Sequence, residues 1–503
     1  MDMLIQGFSV AFSPDNLFYC LVGVFLGTLV GVLPGVGTLA SISLLLPMTF
    51  YLDPTTALIM LAGVYYGSEY GGSTASILLN LPGSPSNAVT CLDGYPMAQQ
   101  GRAGVALFMT SIASFVGGSI GILLMMGFSP LLVKIAFSFG PAEYFALMVL
   151  GLLAATAIAQ GSPLKGIAMV VVGMLIGCVG MDISSGIPRF TFGNMALFEG
   201  VNMVILAMGL FGVSEIFASA NQLTARLTAK DITLRSMLPT REDWRRSAPS
   251  IFRGSGIGSI IGALPGTGAT IAAYLSYTVE KQVSKNRRQL GTGAIEGISA
   301  PEAANNAAVQ TAFIPTLTMG IPGSASMALI LGALMMHGIY AGPSTMTDHP
   351  DMFWGLIASF WIGNVLLLLL NIPLVGIWVR LLALPYRYIF PAVIIFICVG
   401  VYSLTYSFTD VVLVLGFGLL GYGLKLAGYE PAPLLIGFIL GPLIEEYLRR
   451  AMLLARGDFL TILQRPISGS MLLVCALLLG WALYVTWRRY RPGAPEPLPT
   501  PAE

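Results

Sequence analysis

Residues 103–127 contain no charged side chain, and comparable apolar stretches lie at 142–160, 164–181, 197–219, 354–378, 389–407, 409–427 and 469–487. A helix needs roughly 20 apolar residues to cross a hydrocarbon core about 30 Å thick. Only helices and closed barrels satisfy their backbone in lipid, and these stretches are too long for barrel strands. The pattern predicts an all-α polytopic membrane protein with about 10–12 transmembrane helices. Composition agrees: 10% of residues are charged, against roughly 25% in soluble domains. The net charge of +1 gives no basic field for nucleic acid.

Four further stretches are apolar but broken by Gly and Pro, at about 17–50, 58–92, 252–279 and 296–340. They form a repeat. Gly23, Gly27 and Gly31 lead into Leu33-Pro34-Gly35-Val36-Gly37. Gly254, Gly258 and Gly262 lead into Leu264-Pro265-Gly266-Thr267-Gly268, 231 residues later. Pro82-Gly83-Ser84-Pro85-Ser86 then matches Pro322-Gly323-Ser324-Ala325-Ser326, 240 residues later, the extra nine falling in a polar loop. Glycines spaced by four share a helix face and permit close backbone contact. Pro removes a donor and Gly lets the chain turn. One such break is explained by a simple kink between packed helices. Two matched pairs in the same order point to function.

The expected organisation is an N-terminal membrane repeat at 1–219, a polar cytoplasmic connector at 220–253, a C-terminal repeat at 254–487 and a basic, then Pro-rich tail at 488–503. The first LPGxG is flanked by Asp2, Asp15 and Asp53, with no Lys or Arg before Arg102. The second is flanked by Arg241, Arg245, Arg246 and Arg253, then Lys281, Lys285, Arg287 and Arg288. By the positive-inside rule this predicts re-entrant or broken helices in two inverted-topology repeats, with a substrate held between them. The start has no basic n-region and no small-residue cleavage site, so no removable leader is expected.

Neither 17–92 nor 289–340 holds a Lys or Arg. An anionic substrate there would meet backbone N–H groups, hydroxyls and amides. The substrate-binding candidates in the first half are Pro34, Gly35, Gly37, Thr38, Ser73, Thr74, Asn80, Gly83 and Ser84. Those in the second are Gly266, Thr267, Gly268, Thr270, Asn305, Asn306, Gly323 and Ser324. Carbonyls freed near Gly35, Gly83, Gly266 and Gly323 could hold Na⁺. Glu302 shares a helix face with Asn305 and Asn306. It reads equally as an intramembrane functional group or as a helix-start residue behind Pro301. Glu69 is a similar case with a weaker claim.

Cys20, Cys91, Cys178, Cys398 and Cys475 are scattered, and His337 and His349 are the only histidines. Neither set suggests a metal centre or disulfide framework. Glu445-Glu446 precedes Arg449-Arg450 as a salt-bridge face, and no nucleophile–base or HExxH motif appears. An enzyme is not expected, and no cofactor beyond a coupling ion.

The chain resembles the large membrane subunit of tripartite tricarboxylate transporters, the TctA family. The resemblance rests on GVLPGVG (31–37), YYGSEYGGSTASILLNLP (65–82), CLDGYPMAQQGRA (91–103), GALPGTGAT (262–270), APEAANNAA (300–308), MGIPGSAS (319–326) and GPLIEEYLRRAM (441–452). It implies a secondary transporter in the bacterial inner membrane, driven by Na⁺ or protons. It also implies a small TctB-like membrane subunit and a periplasmic TctC-like binding protein that delivers an organic carboxylate. Ser84-Pro85-Ser86-Asn87 departs from the acidic or small residue expected after Gly83, which leaves the carboxylate open. A channel for small anions is the runner-up, an intramembrane enzyme a distant third.

Overall fold

The computed structural model describes residues 2–34, 36–158, 163–182, 185–193, 195–219, 232–382 and 386–490. Gly35, the connector's first part (220–231) and the tail from 491 lie outside them. The first stretch of chain forms α1 (Asp2–Ala11), α2 (Pro14–Val32), α3 (Gly37–Thr49), α4 (Pro54–Leu79), α5 (Ala88–Gln99) and α6 (Ala103–Ala136). Next come α7 (Pro141–Ile158), α8 (Pro163–Gly177), α9 (Met203–Ala207), a π-helical turn at Met208–Val213 and α10 (Ser214–Ser219). Beyond the connector lie α11 (Arg241–Gly262), α12 (Gly268–Val283), α13 (Glu296–Thr311), α14 (Phe313–Met319), α15 (Ala325–Met336), α16 (Thr345–Asp348) and α17 (Pro350–Asn371). The chain closes with α18 (Val375–Leu381), α19 (Tyr386–Thr405), α20 (Phe408–Leu426), α21 (Ala432–Leu454), α22 (Phe459–Gln464) and α23 (Pro466–Tyr490). Strand among the described residues is limited to the short pair β1 (Gly180–Met181) and β2 (Pro188–Arg189).

Among the described residues five helices are long and apolar enough to cross a membrane, including α2, α6, α17 and α20; several shorter apolar helices accompany them. The protein is thus an all-α, multi-pass membrane protein. Two apolar stretches end earlier than their composition suggests. Residues 164–181 stop being helical at Gly177 and turn into β1. Residues 354–378 are interrupted after Asn371, where Pro373 cannot donate to the helical ladder. The connector's end is already helical from Arg241, where Thr240 and Asp243 form a capping box. Burial works against the charge on Asp243, but the Thr240 N–H and the Arg102 guanidinium hold it below the usual carboxylate range.

The chain divides into two compact units that interleave along the sequence. One comprises residues 139–198 and 427–503. Here Gly173 packs on the backbone of Leu434, and Gly437 on that of Val170, seating α8 against α21. Arg449 reaches Asp182 at 2.9 Å and Glu445 at 2.5 Å, and Arg450 pairs with Glu446, the salt-bridge face expected from the sequence.

The other unit, residues 1–138 and 199–426, holds all four breaks. A side chain on Gly23, Gly27 or Gly31 would collide with the backbone of Met60, Val64 or Ser68 on α4. One on Gly254, Gly258 or Gly262 would collide with Ala300, Ala304 or Ala308 on α13. Each partner lies 240 residues from its counterpart, so the duplicated sequence makes a duplicated contact. The breaks match as well. Gly37 (φ +69°) and Gly268 (φ +64°) open α3 and α12, and Asn80 (φ +58°) and Gly320 (φ +71°) follow α4 and α14, all left-handed. Ser84 and Ser324 are both extended. The copies differ after that: Pro85 starts a 3-10 turn at Pro85–Asn87, whereas Ala325 enters α15 directly.

The glycine contact yields a sharp comparison on one helix. Gly256 faces open space, while Gly258 touches Ala304. Gly256→Ala should leave thermal stability unchanged or raised by up to about 1 kcal/mol. Gly258→Ala should lower the melting temperature or yield aggregate on gel filtration. Equal behaviour of the two variants would contradict the packing described.

Candidate functional site

α4 and α13 are unlike the lipid-facing helices. Every residue from Thr56 to Leu79 is buried, as is every residue from Glu296 to Thr311. Both carry polar side chains in that enclosed space, where each needs a partner inside the protein. Glu69 and Glu302 are 3% and 1% exposed. Among the described residues neither forms an ion pair with Lys or Arg.

Glu69 is instead ringed by hydroxyls and an amide. Thr38 Oγ1 donates to its Oε1 at 2.8 Å. Ser84 Oγ donates to Oε2 at 2.9 Å, Asn305 Nδ2 at 3.0 Å, and Ser86 Oγ at short range. Those donors come from the start of α3, from the break after α4 and from α13. Chain folding alone unites them. Gly83 sits against the Gly31 carbonyl and the Gly72 backbone, so the missing side chains let the break approach α4.

Glu302 accepts from Thr90 Oγ1 at 2.5 Å, Asn87 Nδ2 at 3.2 Å and Ser114 Oγ at 3.4 Å. Asn87 links the two glutamates, for its Nδ2 also reaches the Glu69 backbone carbonyl at 3.2 Å and Ser73 Oγ at 3.4 Å. Gly72 makes room for it, since a Cβ there would strike Asn87 Oδ1. Asn306 Nδ2 donates to the Glu302 carbonyl at 3.1 Å. Among the described residues the side-chain oxygens of Asn305, Asn306 and Gln310 have no hydrogen-bond partner, although each residue is at most 2% exposed. Such orphaned acceptors are costly in an apolar interior.

Of the residues singled out in the sequence, Thr38, Ser73, Ser84, Asn305 and Asn306 meet in this network. Gly83 seats it, and Pro34 is buried in the first break. Gly37 opens α3, and Thr74 is buried on α4. Asn80 is an exposed left-handed cap. In the second half, Thr267 Oγ1 donates to the carbonyls of Ile261 and Leu264, and Gly266 is left-handed at φ +82°. Gly268 lies within van der Waals range of the Ser324 side chain, and Gly323 lies near Ala312 and the Gly262 carbonyl. Ser324 caps α15 through Met327 N at 3.2 Å, and Thr270 is half-buried on α12. Asn87, Thr90 and Ser114 were not among the candidates. Asn87 lies just past the first Pro-Gly, which was the available signal; Thr90 and Ser114 gave none.

The CLDGYPMAQQGRA segment binds the second half. Asp93, fully buried, accepts the backbone N–H groups of Gly291, Gly293 and Ala294, each at 2.8 Å, and the Tyr277 hydroxyl at 3.0 Å. Gln100 donates to the Thr292 carbonyl at 2.8 Å, and Arg102 pairs with Asp243 at 2.5 Å. Asp93→Ala would strand three N–H groups, at on the order of 1–3 kcal/mol for each that stays buried. The expected outcome is a lower melting temperature and faster tryptic cleavage at Lys285, Arg287 and Arg288. Unchanged cleavage would show that Asp93 does not hold that loop.

Residues 17–436 match the family model described as "Tripartite tricarboxylate transporter TctA family". The chain is 51% identical over 477 residues to a protein of Agrobacterium vitis named "Uncharacterized 52.8 kDa protein in TAR-I ttuC' 3'region", covering 94% of this chain and 95% of that protein. It is 54% identical over 224 residues to another from the same organism, "Uncharacterized protein in TAR-II ttuC' 3'region". That match covers 44% of this chain and 93% of the relative.

Proposed function

The chain belongs to the tripartite tricarboxylate transporter TctA family, and we propose that it is the large permease subunit of an ion-coupled carrier importing an organic carboxylate. The observation that carries this reading is the pair of equivalent broken-helix elements around a buried polar network free of Lys and Arg. Pores rarely need two matched breaks around an enclosed site. A carrier that exposes its site to each side in turn does.

In this reading the two halves are inverted repeats in the bacterial inner membrane. The carboxylate is held between them by N–H groups and hydroxyls at the breaks. The second half offers Gly266, Thr267 and Gly268 beside Gly323 and Ser324, with Asn305 and Asn306 on α13. A Na⁺ or proton gradient drives uptake. A periplasmic TctC-like protein delivers the substrate, and a small TctB-like subunit completes the membrane complex. The substrate is a tricarboxylate, dicarboxylate or related acid.

Proteoliposomes holding the chain with its small partner, supplied with binding protein outside and a panel of labelled acids, test the reading. Saturable accumulation of one acid that requires an imposed Na⁺ or proton gradient is expected. Flux linear in substrate, or independent of any gradient, would favour a pore. Gly266→Leu forces a branched side chain into a left-handed conformation. That variant and Asn306→Ala should bring uptake to background while reaching the membrane in normal amounts; normal uptake by both would remove these residues from the site.

A further inference from the structure

The oxygens around Glu69 outnumber the hydrogens available to them. Glu69 Oε2 contacts Ser84 Oγ and Ser86 Oγ. Those two hydroxyls contact each other at 2.6 Å, and Ser84 Oγ contacts Asn87 Oδ1 at 2.6 Å. Four oxygen–oxygen contacts share two hydroxyl hydrogens, because an amide oxygen and an ionised carboxylate carry none. Two contacts therefore set lone pair against lone pair. Protonating Glu69 supplies one hydrogen and leaves one contact unserved. A cation among these oxygens serves them all.

An independent observation points to the same place. Asn305 is 1% exposed and aims its amide at Glu69, the Nδ2 lying 3.0 Å from Oε2. Its Oδ1 has no partner. We propose that Glu69, Ser84, Ser86, Asn87 and Asn305 bind one dehydrated Na⁺-sized monovalent cation, with Thr38 fixing the carboxylate from its other oxygen.

Charge and donor type select the ion. One carboxylate neutralises one positive charge, whereas a divalent ion would leave an excess charge in an enclosed apolar interior. Carboxylate, hydroxyl and amide oxygens are hard donors, which suit an alkali cation and not a thiophilic metal. The carboxylate and the hydroxyls of the site belong to the first half, with Asn305 reaching in from α13. Glu69, Asn87 and Thr38 correspond in the repeat to Val309, Met327 and Ala269. The second pair of breaks so keeps the turns without counterparts of Glu69, Asn87 and Thr38.

This assignment rests on the ion-coupled reading and adds where the cation sits. The test measures binding without transport. The purified full chain with its membrane partner is followed by thermal unfolding and calorimetry in choline chloride, with NaCl titrated in and no carboxylate present. Saturable stabilisation by Na⁺ is expected, lost in Glu69→Gln and weakened at least about tenfold in Ser86→Ala. Ser326→Ala, the equivalent change in the second half, should leave Na⁺ affinity within about twofold of the parent. Should Glu69→Gln not fold, the Ser86→Ala and Ser326→Ala comparison decides. Undiminished Na⁺ binding in Ser86→Ala, or stabilisation that follows pH and ignores Na⁺, would overturn the site. Gradient-driven uptake without Na⁺ binding would overturn the site and leave the carrier standing. Na⁺ binding lost with Glu69, but no uptake of any acid, would support the site and overturn the carrier.

Discussion

Direct contact between backbones, α2 on α4 and α11 on α13, is the constraint on which the rest of the membrane core depends. Lipid tails are as apolar as leucine, so helices in a bilayer gain little from hiding apolar side chains and associate through close packing. Glycines at 23, 27 and 31, and again at 254, 258 and 262, bring each outer helix onto its inner partner without intervening side chains. The inner helices α4 and α13 become fully enclosed. Enclosure lets them carry glutamates, serines and asparagines that would be intolerable against lipid.

The same contact seats the chemistry. Gly31 and Gly72 leave the space that Gly83 enters, and this sets Ser84, Ser86 and Asn87 beside Glu69. An isolated buried carboxylate costs several kcal/mol after relaxation. Glu69 and Glu302 meet that cost with hydroxyl and amide donors, and neither takes an Arg or Lys. The choice matters for the proposed carrier. A fixed cation would hold the carboxylates permanently, whereas neutral donors would leave Glu69 open to the proposed ion.

Backbone features were the legible part of this chain. Gly and Pro encode conformation locally, so LPGxG and PGSxS could be read as breaks, and the left-handed Gly37, Gly266, Gly268 and Gly320 realise them. Apolar length located the helices, but not their ends where one Pro or a turn intervenes, as after Gly177 and at Pro373. The centrality of Glu69 was far harder to see. Its donors Thr38, Ser84, Ser86 and Asn305 lie 15 to 236 positions away in the chain, and no local pattern joins them. Glu302 stood out because Asn305 and Asn306 share its helix face, a local signal. The repeat held one unread clue: 240 residues after Glu69 stands Val309, so a copied backbone carries an uncopied charge.

That contrast bears on how one duplicated scaffold could serve the two unlike solutes proposed for it. Duplication fixes geometry: the glycine contacts, the left-handed turns and the extended serines recur because they are properties of backbone. Selectivity resides in side chains, and those are free to diverge as long as the backbone contacts survive. Thr38, Glu69 and Asn87 give one break a carboxylate and an oxygen-rich lining, while Ala269, Val309 and Met327 stand at the matching positions of its counterpart. Two equal linings would compete for the same ion. If the first lining binds the proposed cation and the second the proposed carboxylate, filling one site would lower the electrostatic cost of filling the other. Coupling on that proposal would need no long relay between remote regions, since α13 contributes Asn305 to the first lining and is clasped by the glycines of α11 in the second half.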